Sequence, residues 1–356
     1  MDVRHQARLR RERCQRSSNH GYINQYDAGQ ALDLPSAFGQ KGGNSCGPSS
    51  LAMLVDAFKR GAGSAEFPAL KDLYDATVTG GNFTWADGLG AAWSMGYLDA
   101  FTGTGIDQIN AWLTTGVPVL ASTTFGSAAW GTAGGGHVIL ITGGTEAGDY
   151  VVSDPAGDYY SSSTGHYGSQ KCGYNVVYPK AGVEANAANR SPLAVPNRAG
   201  ADPQVLVAVG GGPSGGRGDF VFWLEDGLGR RVGWPTPLGP LSQIPMSWAG
   251  IDPIVPSSPD APPAAIDTDH APYAAVLLLP VSDLLLRIQS TGPPAAYAIQ
   301  LRVLEKGRLV SSTVESGTLG AGELRTVAVP EPAPLLASFA SLLGLAAIRR
   351  GRGLRP

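Results

Sequence analysis

Gln40 and Cys46 lie six positions apart at the start of a helical pattern. From Pro48 onward the apolar residues recur at helical spacing, at Leu51, Leu54, Val55 and Phe58. Pro48 suits a first helical turn, because its missing N–H would have no partner there. Cys46 is therefore predicted at a helix N-terminus, where free N–H groups and the helix dipole favour a nucleophilic thiolate. The alternative for a lone cysteine is a buried structural role.

His137 and Asp154 lie at the ends of two consecutive strand-like runs. His137 follows three glycines and opens the run HVILITG, while Asp154 ends the run DYVVSD, 17 residues later, and is followed by Pro155. Adjacent strands joined by a tight turn would bring both side chains together. Either residue alone is ordinary, as a strand-end histidine or as a turn-starting Asp-Pro pair. Their combination with Cys46 and Gln40 indicates catalysis.

Each of the four residues suits one step of acyl transfer. Cys46 would attack a carbonyl carbon, and His137 would accept the thiol proton and later donate a proton to the leaving amine. Asp154 would orient the histidine ring and stabilise the imidazolium. The Gln40 amide and the Cys46 backbone N–H would bind the oxyanion, and each such donor typically contributes about 2.7–4 kcal/mol.

The segments QKGGNSCGPSSLAM, GGGHVILITGG and VVSDPAG together resemble the papain-like cysteine peptidases similar to the double-glycine, bacteriocin-leader-processing family. The resemblance covers residues 21–180. It implies a thiol protease with Cys46 as nucleophile, His137 as base, Asp154 as orienting group and Gln40 as oxyanion donor. The true leader peptidases are fused to a membrane exporter and an ATPase, and the sequence shows neither. The bacteriocin-leader substrate therefore does not transfer.

Helical patterns precede strand patterns in residues 21–180. The spacing predicts helices over 84–95 and 106–115, followed by strands at 117–123, 137–143 and 149–154 and a weaker one at 175–178. Helices followed by antiparallel strands indicate an α+β fold.

Residues 181–203 are rich in Ala, Asn and Pro and are predicted to be a linker. Residues 204–328 are predicted to form an all-β, loosely Ig-like sandwich with a scaffold or adhesive role, and 235–272 are predicted to be loops. The runs that predict its strands are 204–209, 219–224, 273–279, 284–288, 297–304 and 323–329.

The C-terminal segment 329–356 contains Val-Pro-Glu-Pro, sixteen mostly apolar residues at 333–348 and four arginines. The apolar run is a little short of the roughly 20 residues that span a bilayer, and its basic flank would remain cytoplasmic. A buried core helix is the alternative. The pattern resembles the PEP C-terminal sorting signal of Gram-negative bacteria. That resemblance implies a transmembrane helix, transient membrane anchoring, processing by an exosortase-type enzyme and secretion to the cell envelope or beyond.

Residues 1–20 are predicted to be a basic, disordered tail, since six arginines lie in the first sixteen positions. No apolar stretch of a secretory signal follows them, which conflicts with export. We therefore expect that the true start of the protein lies upstream or was assigned wrongly.

The composition and the cysteine spacing argue against several classes of function. A net charge of −3 does not favour nucleic acid as a partner, and three cysteines without a CxxC pair indicate neither a metal centre nor a disulfide framework. No cofactor is predicted, and the expected partner is a peptide or protein substrate. Two alternatives to hydrolysis are a non-catalytic protein that binds peptides with the same fold, and acyl transfer to an amine.

Overall fold

The computed structural model describes most of the chain, and its described residues are 22–34, 36–37, 40–41, 43, 45–59, 70–79, 82–102, 105–123, 137–159, 172–187, 192–194, 203–211, 219–236, 239–251 and 273–329. The predicted basic tail at 1–20 and the predicted membrane helix at 333–348 lie outside these residues. Within them, no helix is long and apolar enough to cross a membrane.

The described residues contain six helices, three of which begin where the apolar spacing predicts. They are α1 (Gln25–Ala31), α2 (Cys46–Lys59), α3 (Leu70–Thr77), α4 (Trp85–Ser94), α5 (Gly105–Thr114) and α6 (Lys180–Ala187). Thr84 caps α4, since its hydroxyl oxygen accepts a hydrogen bond from the Asp87 N–H. The helices α2, α4 and α5 match their predicted positions closely, whereas α1, α3 and α6 were not predicted from the sequence.

A six-stranded antiparallel sheet in the order β5-β10-β6-β7-β8-β9 forms the centre of the first half. The strands of this half are β1 (Ser36–Ala37), β2 (Gln40–Lys41), β3 (Val78–Thr79), β4 (Asn82–Phe83), β5 (Phe101–Thr102), β6 (Val119–Thr123), β7 (His137–Gly144), β8 (Tyr150–Ser153), β9 (Val176–Tyr178) and β10 (Pro192–Ala194). The predicted strands correspond to β6, β7, β8 and β9. The mixture of helices and antiparallel sheets confirms the α+β class.

The segment predicted as a linker, 181–203, differs from that expectation. It contains most of α6 and all of β10, and β10 lies between β5 and β6 in the central sheet. Leu193 and Ala194 in β10 are fully buried. A strand of three residues is too short to give a clear alternating pattern. The prediction of a linker therefore depended on composition alone.

Two five-stranded antiparallel sheets make up the second half, in the orders β15-β16-β11-β18-β19 and β14-β13-β12-β17-β20. Their strands are β11 (Gln204–Gly211), β12 (Phe220–Glu225), β13 (Arg231–Thr236), β14 (Gly239–Ser242), β15 (Ser247–Ile251), β16 (Tyr273–Leu278), β17 (Leu285–Ser290), β18 (Ala295–Glu305), β19 (Arg308–Leu319) and β20 (Leu324–Ala328). Residues of both sheets form one apolar core, so the sheets pack as a sandwich. The stretch 235–272, predicted to be loops, contains β14, β15 and the end of β13.

The sandwich packs directly on α3 and α4 of the first half. Val207 of β11 and Leu304 of β18 belong to the same core cluster as the helices α2 and α4. Arg302 of β18 donates to Asp87 of α4 across this contact at 2.6 Å, and both side chains are almost fully buried. The described residues of the two halves therefore share a core.

Candidate active site

Cys46 is the first residue of α2, as the spacing predicts. It is buried, with 9% of its surface exposed, and its thiol is free. The Ser50 hydroxyl, one turn further on, donates to the Val138 carbonyl of β7 at 3.0 Å. This bond joins the first turn of α2 to the strand that begins with His137.

Gly47 lets the first turn of α2 approach the aromatic side chain of Phe83. A Cβ atom at Gly47 would lie 2.2 Å from the Phe83 ring, which no rotamer change at position 47 could relieve. Phe83 in turn packs edge-to-face on Trp85 of α4, with ring centroids 5.3 Å apart. Position 47 must therefore be glycine for the first turn of α2 to pack against Phe83 as it does.

His137 is the first residue of β7 and is 7% exposed. Its backbone is fixed by pairing with Thr123 of β6, whose hydroxyl also donates to the His137 carbonyl at 3.2 Å. The ring Nε2 lies 2.8 Å from Asp154 Oδ1. This contact leaves Nδ1 as the ring nitrogen available to the Cys46 side chain.

The electrostatics of His137 connect it to both neighbours. Burial by itself disfavours the charged imidazolium, but the Asp154 carboxylate and hydrogen bonds from His137 to Asp154 and Cys46 outweigh it. The net effect raises the pKa of His137 to about 10. The ring therefore carries its proton at neutral pH and lies between a sulfur atom and a carboxylate.

Asp154 follows β8 and is fully buried. Its Oδ1 accepts from His137 and from the Ala156 N–H at 2.8 Å, and its Oδ2 accepts from the Tyr178 hydroxyl at 2.7 Å. The Asp154 backbone N–H donates to the Gly173 carbonyl at 2.9 Å. The carboxylate is thus held by donors on both oxygens.

The segment around α1 links the two sides of the site. The Tyr22 hydroxyl donates to the Asp154 carbonyl at 3.0 Å, and the Gln25 N–H donates to the Pro155 carbonyl at 2.9 Å. On the other side, the Ser45 hydroxyl, next to Cys46, donates to the Gln25 carbonyl at 3.4 Å. Residues 22–25 therefore bridge the turn at Asp154 and the start of α2.

Tyr26 and Tyr178 belong to this site but were not predicted from the sequence. Burial, followed by the charges of Cys46 and Asp154, raises the pKa of Tyr26 well above its ordinary value. Tyr26 therefore lies within electrostatic range of both side chains. Of the two, only the position of Tyr178 could have been predicted. It lies two residues after Val176 in a strand, with exposed Val177 between them, so Val176 and Tyr178 both face inward. Nothing in the spacing of Tyr26 indicates its position.

Gln40, the predicted oxyanion donor, lies in β2, where its backbone pairs with Ala37 of β1. The strand β2 ends at Lys41 and α2 begins at Cys46, five positions later. The role of Gln40 in oxyanion binding remains a prediction.

The described cysteines differ from each other. Cys46 is free, whereas Cys172 is disulfide-bonded. The spacing of the cysteines did not predict this disulfide bond. Among the described residues, no group of three or more His, Cys, Asp or Glu side chains could hold a metal ion.

A cysteine at a helix N-terminus, facing a buried His–Asp pair on an antiparallel sheet, is an arrangement typical of papain-type thiol hydrolases. Residues 19–185 match the model of the Peptidase_C39 like family. This match supports a C39-like, papain-type cysteine peptidase, a hydrolase, in that part of the chain. Searches of curated proteins and of solved structures found no match.

Proposed function

We propose that this protein hydrolyses peptide bonds with Cys46 as nucleophile, His137 as acid and base, Asp154 as orienting group and Gln40 as oxyanion donor. The observation that carries the proposal is the position of the His137 ring. Its Nε2 lies 2.8 Å from Asp154 Oδ1, and the Cys46 side chain contributes to the raised pKa of the ring, inside the segment that matches the peptidase family. A papain-like fold for residues 21–180 is part of the same proposal.

The proposed reaction has two stages. The Cys46 sulfur attacks the carbonyl carbon, and the Gln40 amide and the Cys46 N–H stabilise the oxyanion that forms. The His137 imidazolium then gives its proton to the leaving amine, the C–N bond breaks, and a thioester remains on Cys46. In the second stage, neutral His137 removes a proton from water, and the resulting hydroxide attacks the thioester carbon. The C–S bond then breaks, which releases the carboxylic acid product and returns the Cys46 thiolate beside the His137 imidazolium.

The Cys46→Ala variant tests this proposal. Turnover of a synthetic peptide library, measured by mass spectrometry, is expected to be lost, while the thermal unfolding midpoint stays close to that of the wild type. Adding an amine acceptor to the wild-type reaction separates hydrolysis from amine transfer, because a transferase would yield the amide of the acceptor. Turnover retained in Cys46→Ala would refute the proposal.

Labelling with iodoacetamide separates a peptidase from a protein that only binds peptides. A thiolate held beside His137 is expected to react well below pH 8, because the anion is the reactive form. The His137→Gln variant is the matched comparison, since it removes the imidazolium and keeps the thiol. Equal labelling rates in the two proteins at low pH would favour the binding alternative.

We further propose that the protein is exported to the cell envelope or beyond and is transiently anchored by its C-terminal segment. The Pro-Glu-Pro motif, the apolar run and the arginines support this proposal, and the exosortase-type enzyme would be a processing partner. The disulfide at Cys172 also fits an oxidising compartment. Fractionation of a Gram-negative host with mass determination of the product is the test. A full-length product in the cytoplasm would contradict export.

A further inference from the structure

Tyr178 has a hydroxyl group whose hydrogen bonds are set by its surroundings. It is the last residue of β9 and is fully buried. The Tyr159 N–H donates to its oxygen at 2.9 Å, so the hydroxyl proton must point elsewhere. The nearer acceptor is Asp154 Oδ2 at 2.7 Å, and the Gly157 carbonyl lies at 3.2 Å.

The bond from Tyr178 restricts the rotation of the Asp154 carboxylate. The torsion that turns a carboxylate about its Cβ–Cγ bond is broad, so packing alone fixes it poorly. Oδ1 accepts from both His137 and Ala156, whereas Oδ2 accepts from Tyr178. A charge-assisted bond of this length is stronger than a neutral one. The Tyr178 hydroxyl therefore keeps Oδ1 directed at the histidine ring.

Burial and the Asp154 charge also raise the pKa of Tyr178 well above its ordinary value. The phenol therefore keeps its proton over the whole range in which a cysteine peptidase works. It remains a donor at every such pH.

We propose that Tyr178 is a positioning residue for peptide hydrolysis, which holds the Asp154 carboxylate so that the His137 ring stays aligned with Cys46. The kinetic consequence of this proposal rests on the proposed function. The structural consequence, an ordered His137–Asp154 hydrogen bond that depends on the Tyr178 hydroxyl, does not.

The chain offers a matched control in Tyr150. It pairs with Tyr178 across β8 and β9, belongs to the same core cluster, and donates its hydroxyl to Asn110 Oδ1 at 2.6 Å. Tyr150→Phe and Tyr178→Phe therefore each remove one hydrogen-bonded hydroxyl from neighbouring strands. Only the second variant removes a bond to Asp154.

The kinetic arm compares these two variants on the best peptide found for the wild type. Tyr178→Phe is expected to lower kcat by about 10- to 100-fold, the range expected for small misalignments. KM should stay unchanged, because the aligned ring matters in the transition state. Tyr150→Phe is expected to keep kcat within about twofold of the wild type. Equal kcat losses in both variants would overturn the proposal by indicating a general packing effect.

A spectroscopic measurement tests the positioning role of Tyr178 even if the Cys46→Ala variant refutes the proposed function. Isotope-labelled histidine allows the Nε2–H resonance of His137 to be assigned by comparison with His137→Gln. The resonance is expected to shift or broaden in Tyr178→Phe and to stay in place in Tyr150→Phe. An unchanged resonance in Tyr178→Phe would refute the positioning role.

If Tyr178→Phe does not fold, the same connection can be tested by changing His137 and observing Tyr178. In the wild type the buried Tyr178 hydroxyl proton should give its own resonance, since it is shielded from exchange with water. The His137→Gln variant changes the charge next to Asp154, and this resonance is expected to move. No change in the resonance would refute the connection between Tyr178 and the His137–Asp154 pair.

Discussion

Two buried aspartates, one in each of two regions, hold a cationic side chain in different ways. Asp154 in the candidate site faces the His137 ring at 2.8 Å, and Asp87, at the contact between α4 and the sandwich, faces the Arg302 guanidinium at 2.6 Å. Both carboxylates are at most 1% exposed. Each also accepts from a hydroxyl group, Tyr178 for Asp154 and Thr84 for Asp87. The two surroundings are similar, but the cations are not.

The chemical identity of the cation decides what each pair can do. A histidine ring can exist with or without its second proton, so the Asp154–His137 pair could move a proton beside Cys46 in the proposed reaction. An arginine stays charged at all relevant pH values and presents a rigid set of donors. Arg302 uses them to hold Asp87 and the Asp75 carbonyl of α3 at once. One pair is thus suited to chemistry and the other to joining two parts of the fold.

The largest effect is expected for Arg302→Ala. Removing one partner of a buried pair leaves the Asp87 charge without compensation, which typically costs about 3–5 kcal/mol of unfolding free energy. Chemical denaturation measures this loss. Arg308→Ala is the matched control, because Arg308 joins the same regions through Asp72 at 3.0 Å but both side chains are more than a third exposed. Its loss should stay below about 1 kcal/mol. Similar losses of unfolding free energy in both variants would contradict the special contribution of the buried Arg302–Asp87 pair.

A smaller effect, on rate, is expected for Asp154→Ala. Without the carboxylate the His137 ring loses its orientation, and kcat should fall by about 10²-fold, the cost of a misplacement near 1 Å. Asp87→Ala is the counterpart: it should lower the unfolding free energy and leave the kcat of the folded protein nearly unchanged. Steady-state kinetics and urea unfolding of both variants make the test. An equal kcat loss in Asp87→Ala would mean that the interface pair also serves catalysis.

The effect that is smallest per pH unit is a pH dependence of stability. The pKa of His137 is raised from its ordinary value of 6.5 to about 10 in the folded protein. Its contribution to stability is therefore complete below about pH 6.5 and is lost as the pH rises toward 10, with a slope of at most about 1.4 kcal/mol per pH unit. Urea unfolding from pH 6 to 10 should show a shallower decline in His137→Gln, and parallel declines would contradict the raised pKa.

Local patterns were sufficient for the elements that carry Cys46 and His137. Leu51, Leu54 and Val55 predicted the buried face of α2, and all three are fully buried. The apolar run after His137 predicted β7, since strands buried on both faces have continuous apolar sequences. These predictions succeeded because periodicity reports the burial of a single element, which needs no knowledge of its neighbours.

The same reasoning failed where burial was weak or the element was short. The strand β19 has twelve residues, most of them exposed, and its sequence RLVSSTVESGTL gives no clear apolar face. It forms because it pairs with β18 along nearly its whole length. The hairpin turn between them uses Lys306 and Gly307 at positive φ, angles of 52° and 72°. Pairing of this kind depends on a partner strand, which no single pattern reveals.

Apolar spacing along the chain was enough to predict where α2 and β7 begin, and hence that Cys46 and His137 lie at element ends. The hydrogen bond from Tyr178 to Asp154, the bridge formed by residues 22–25 and the ion pair of Arg302 with Asp87, 215 positions away in the chain, became apparent only in the folded protein. Helix and strand patterns arise from contacts between near neighbours, whereas a buried charge can be satisfied by any donor that the completed fold brings within hydrogen-bonding distance.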